Sequence, residues 1–183
     1  MVGTSHEDFS LTVEDLQAVT DYALAGAVEV LPIFQKALPD DPRPEEAIAA
    51  ARAFVETGRR TNQQRAAAFA AHRAAKDAGE EAARLAAQAA GDAAAAAYLH
   101  PIAKSHQVGH ILRAVACVAA IAEIQTQDPD AGSETVRRWA AAASPAVVTV
   151  LRRYPPAAPG RSRTDVLMAE LDASLRARHS PDS

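Results

Sequence analysis

His100, His106 and His110 fall within eleven residues of one another in the stretch YLHPIAKSHQVGHILRA, Tyr98 to Ala114, which holds half of the six histidines in the chain. Imidazole changes charge near neutral pH and is the commonest metal-ligating side chain, so such a cluster raises acid/base and metal chemistry together. His106 and His110 stand four apart. On one continuous helix they would share a face and could both reach one metal, as the paired histidines of a zincin motif do. The residues between them, Gln107, Val108 and Gly109, supply no glutamate to act as a base. A third ligand would have to come from His72 or a distant carboxylate, because catalytic zinc takes three protein ligands. His72, His106 and His110 are therefore the candidates should a divalent metal bind, and no other cofactor is predicted. The competing role is structural: imidazoles exchanging hydrogen bonds in a polar seam between helices.

Other chemistries find little support. Cys117 lies in the apolar run RAVACVAAIA without an adjacent base, which suits a small buried residue better than a nucleophile. Ser105 lacks the flanking glycines of a nucleophile elbow. No phosphate-cradling GxxxxGK[ST] loop, GxGxxG or CxxC is present. Arg43, held between Pro42 and Pro44, has an ordered backbone and a forked head suited to carboxylates. It joins His72, Tyr98, His100, His106 and His110 as a candidate binding residue.

The elements that must carry these side chains are helical. In 183 residues, 49% of them hydrophobic, alanine dominates and β-branched residues never alternate. The chain is expected to form an all-α, compact, single-domain bundle of about six to eight helices with alanine-rich close packing. Thr12 with Asp15, and Thr61 with Gln64, read as capping boxes. Pro32 should kink or end the first helix, and Gly58 should close the second. A helix from about Glu80 to Leu99, AARLAAQAAGDAAAAAY at its heart, has side chains small enough to sit centrally, with Gly91 at the closest crossing. Pro101 should bend or restart the helix toward Val108 and Ile121, up to a break at Asp128 and Pro129. Ser133, Ser144 and Thr164 are the expected later caps. The divisions so read are a flexible N-terminus 1–10, a helical domain 11–154, a Pro/Gly-rich linker 155–163, a C-terminal helix 164–178 and a tail 179–183.

The net charge of −4 advertises no basic face for phosphates, and the apolar runs fall short of the ~20 residues that span a bilayer. Neither a nucleic acid nor a membrane is an expected partner. A single cysteine and an acidic N-terminus without a signal-like apolar stretch point to a cytoplasmic protein. Oligomeric state is left open.

VLPIFQKALPDDPRPEEAIAAARAFVETG, then AAAFAAHRAAKDA, then ARLAAQAAGDAAAAAYLHPIAKSHQVGHILRAVACVAAIAE and a Trp-containing segment together resemble the immunity-five-like family of bacterial immunity proteins, over about residues 16 to 139. The positions that match the family pattern include Asp41, Arg43, Pro44, Glu46, Arg52, His72, Gly91, His100, Pro101, His106, Gly109 and His110. Two departures stand out: Phe54 replaces a tryptophan common in relatives, and Asp92 replaces a histidine, which would remove one ligand from any strict metal site. The resemblance implies a compact α-helical protein of a toxin-immunity system that binds and blocks a toxin. On that reading an acidic helical surface meets a basic toxin face. The alternative is a small helical enzyme or ligand-binding protein using His100, His106 and His110 with His72, Arg43 and Tyr98 in an interhelical pocket, with a small molecule as its partner. The residues weigh toward a binding protein over an enzyme.

Overall fold

Alanine enters a helix at no side-chain entropy cost, and the alanine-rich runs of this chain fold accordingly. The computed structural model describes residues 9–178, which form eight α-helices and no strand. These are α1 (Val13–Ala37), α2 (Arg43–Thr57), α3 (Asn62–Asp77), α4 (Glu81–Ala96), α5 (Val108–Thr126), α6 (Asp130–Ala142), α7 (Pro145–Leu151) and α8 (Arg163–Ala177). A short 3-10 turn, Ser105–Gln107, leads into α5. The expected N-terminal segment 1–10 falls mostly outside the described residues, and the expected tail 179–183 wholly so.

Local signals set most of the boundaries. Thr12 with Asp15 and Thr61 with Gln64 both form capping boxes. Ser144 Oγ accepts from the Val147 N–H with Pro145 in the first turn of α7. Gly58 ends α2 at a φ of +64°, a backbone state that costs an L side chain about 1–2 kcal/mol.

Three expectations are corrected, and at Pro32 one of the two expected outcomes, an end, is excluded. Pro32 does not end α1, which runs on to Ala37. Pro32 is exposed, so the carbonyl it leaves unbonded one turn earlier faces water instead of the core. Pro101 does not restart a helix: proline disfavours helical backbone at the residue before it, and regular hydrogen bonding resumes only at Ser105. Ser133 is not a cap; α6 begins at Asp130, whose N–H donates to Asp128 Oδ1, and the Ser133 hydroxyl donates to Glu170. Ser162, not Thr164, caps α8, because Ser162 has an acid three residues on, Asp165, and closes a capping box with it, whereas Thr164 has Leu167 there.

Helix α4 is the axis of the bundle, packed against α1, α2, α3 and α5. Its alanines 83, 86, 87, 89, 90, 93 and 94 are buried, as is Gly91, which lets four neighbours approach one helix. Larger side chains fill the space around it: Phe34 of α1, Phe54 of α2, and Ile111, Leu112 and Ile121 of α5, each essentially inaccessible. Ser105–Thr126, the 3-10 turn with α5, is long and apolar enough by composition to cross a membrane, longer than the runs weighed from sequence; it is 72% buried within the bundle and serves as a core helix. After the non-helical stretch 155–162, α8 packs back on α5 and α6, burying Leu167, Leu171 and Leu175.

Candidate functional site

His72 projects from α3 toward α4, and the space it fills exists because residue 91 has no side chain. A Cβ built on Gly91 would lie 2.1 Å from His72 Cδ2 and 2.4 Å from Nε2. Behind the ring stands Asp92, a buried carboxylate whose side chain is 4% exposed. Its Oδ1 lies 3.3 Å from His72 Nε2 and 3.5 Å from Arg113 NH1, and the Gln88 amide donates to both oxygens at 3.2 and 3.3 Å. His72 Nε2 is itself buried and makes no aligned hydrogen bond. Arg113 reaches Asp92 across a second glycine: a Cβ on Gly109 would sit 2.2 Å from its NH2 atom. A buried carboxylate is tolerable only with such compensation, and each of its three neighbours offers part of it.

In front of His72 is a cavity of about 240 Å³ between α3, the end of α4 and the start of α5. His72, Tyr98, His100 and His110 line it together with Arg65 and Phe69. The Tyr98 hydroxyl donates to the Thr61 carbonyl at 2.6 Å, which fixes its ring, and the Arg65 guanidinium lies 5.1 Å above that ring. Phe69 is 60% exposed, the most open large apolar side chain of the protein among the described residues. Burial holds the His110 imidazole below its ordinary pKa of 6.5, against the pull of Asp92 and assisted by Arg113, His100 and His106. At neutral pH its ring is uncharged.

His106 is placed differently from the sequence expectation. It sits in the 3-10 turn and not on α5, is exposed, and does not line the cavity, so the two imidazoles do not project side by side from one helix. The register change after Lys104 rotates it away. The neighbouring Gln107 selects the tautomer of its neutral ring. Gln107 Oε1 accepts the His100 N–H at 3.0 Å, so its NH₂ faces His106 Nε2 at 2.8 Å, and that nitrogen must accept. The proton of neutral His106 is therefore on Nδ1. The His100 carbonyl in turn accepts from the Tyr154 hydroxyl at 2.8 Å. The loop carrying His100 is thus held by the peptides on both sides of that residue.

Arg43 is also elsewhere. It forms a forked pair with Asp41 and reaches Asp77 at 2.7 Å, tying the turn before α2 to the end of α3. The hydrogen bonds from Arg43 hold the Asp41 carboxyl below its ordinary value. The ordered head foreseen in the sequence is occupied by the protein's own carboxylates. Cys117 is buried in the core, and burial pushes its thiol well above the ordinary range, consistent with packing over reactivity.

His72, Tyr98, His100 and His110 thus converge, whereas Arg43 and His106 do not join them. Among the described residues no three His, Cys, Asp or Glu side chains are grouped to hold a metal, and the proposed trio of His72, His106 and His110 is not assembled. Sequence reasoning missed Phe69, Arg65 and Arg113, and it took Asp92 for a loss where the fold makes it the centre. The pair Gly91 and Gly109, each one turn or less from a polar side chain, was the signal that a ring and a guanidinium needed room. Comparison with curated proteins and with solved structures gives no match. The family model described as "Imm-5 like putative immunity protein" matches residues 10–147, most of the chain and all of the cavity wall, and the chain therefore belongs to that family.

Proposed function

We propose that this protein binds and neutralises a partner toxin through the helical surface around the histidine-lined cavity. The observation that carries the reading is Phe69, a 60% exposed aromatic ring at the rim, beside an arginine stacked on a tyrosine. Exposed aromatic and arginine side chains gathered at a concavity are the chemistry from which binding hot spots are built. The size of the hollow supports a protein partner over a metabolite. About 240 Å³ is below the ~300–1,000 Å³ of usual small-molecule pockets, and it suits one inserted side chain. His110, uncharged, offers that side chain a hydrogen-bonding partner without the cost of burying a charge.

The test is co-expression with the product of the neighbouring reading frame. The expected result is a complex of fixed stoichiometry that Phe69→Ala abolishes or weakens by ~10-fold or more, the scale of a hot-spot truncation, without lowering the melting temperature. A complex indifferent to Phe69 would remove this face as the binding site, and the absence of any complex with a toxic neighbour would remove the function.

A further inference from the structure

Between Arg59 and Lys76 the chain carries five cationic side chains, Arg59, Arg60, Arg65, Arg73 and Lys76, and no aspartate or glutamate. All five are exposed. Arg59 and Arg60 precede α3; Arg65, Phe69, Arg73 and Lys76 follow at intervals of four, four and three, which places them on one stripe of its outer side. Several arginines elsewhere pair with an acid, Arg84 with Glu81, Arg138 with Glu29 and Arg163 with Glu123, whereas the exposed Arg52, Arg137 and Arg161 stand singly, each on a different element or loop. None of the five forms an ion pair among the described residues, and Arg65 lies over the Tyr98 ring instead. An acidic protein thus carries a run of cations with no intervening acid along, and just before, the helix that also bears the exposed phenyl ring and one wall of the cavity.

We infer that this stripe docks an acidic patch of the partner, with carboxylates meeting Arg65, Arg73 and Lys76 on either side of an apolar contact at Phe69. The inference rests on the toxin-binding reading above and reverses the polarity expected from net charge, since a whole-chain sum of −4 says nothing of where the charges sit. A row of like charges without partners repels itself, and an acidic surface relieves that repulsion while steering the encounter. Nucleic acid is the less suitable occupant. Single-stranded chains are held by successive aromatic platforms, and α3 offers one exposed ring.

The full chain is titrated with fluorescein-labelled deca-glutamate, deca-lysine and an oligodeoxythymidine as probes. Deca-glutamate is expected to bind, and deca-lysine is not. The affinity should fall about tenfold in the triple variant Arg65→Glu, Arg73→Glu, Lys76→Glu, and by a similar factor when salt is raised from about 20 to about 200 mM, which shortens the screening length to below the stripe. Circular dichroism verifies that the variant is folded. Should it not be, the pair Arg73→Gln, Lys76→Gln gives a smaller loss of about threefold on the same probe. Deca-glutamate bound equally by wild type and folded variant, not bound by wild type at all, or bound more weakly than the oligonucleotide would each overturn the inference. Those outcomes leave Phe69-dependent capture of a toxin untouched, so failure of the polarity and failure of the function are read separately.

Discussion

Replacing Gly91 by alanine sets two local effects against each other. In the interior of α4 the substitution removes the backbone-entropy penalty of glycine, a gain of about 1 kcal/mol. The new Cβ would fall 2.1 Å from His72 Cδ2, far inside contact distance, and the atoms it meets belong to a ring packed against a helix. Overpacking of this kind costs about 1–3 kcal/mol, so the net effect is a loss of about 1 kcal/mol. In a chain of 183 residues that corresponds to a melting temperature lower by about 2–4 °C. The informative measurement is the cycle with His72→Ala, followed by urea or thermal unfolding of all four proteins. With the ring gone, Gly91→Ala should turn stabilising by its intrinsic ~1 kcal/mol, a coupling of about 2 kcal/mol with a change of sign. If Gly91→Ala stabilises the protein while His72 is present, the ring does not occupy the space described, and the arrangement of His72 over Asp92 is refuted.

Three further outcomes are expected. Gly58→Ala should cost about 2 kcal/mol in unfolding experiments, because its φ of +64° is strained for alanine and the Cβ would lie 2.8 Å from Val13 Cγ1. His110 titrates lower in the folded than in the unfolded chain, so the unfolded chain takes up the extra proton first: stability is full above 6.5 and is progressively lost as pH falls from 6.5 toward the folded-state value. His110→Gln should flatten that acid-side slope in pH-dependent melts, and an unchanged slope would show that His110 does not set it. Cys117 should resist thiol reagents in the native protein and react in full only with unfolding, as followed by mass spectrometry under increasing urea.

Helix type was legible because the determinants are local: alanine propensity, capping boxes at Thr12 and Thr61, and Gly58 at a C-cap each act within a turn of chain. The errors arose where a choice depended on the third dimension. Pro32 is tolerated because its side of α1 faces solvent, a fact no spacing of residues contains. His106 and His110 fit a helical repeat on paper, but after Pro101 and the extended Lys104 the α-helix begins only at Val108, which leaves His106 in an exposed turn and His110 in the cavity wall. Asp92 carried no motif. Its role comes from α3 and α5 delivering His72 and Arg113 to the same carboxylate, a meeting of residues 20 positions before and 21 after it.

The last helix lies beyond the region that matches the family, yet Tyr154 pins the His100 carbonyl and three leucines of α8 close the far side of α5. Anyone cutting the chain at the family boundary would therefore remove a buttress. The remaining helices would expose a greasy seam prone to self-association, and the loop that frames the hollow would slacken. A minimal version of this fold has to keep its own clasp.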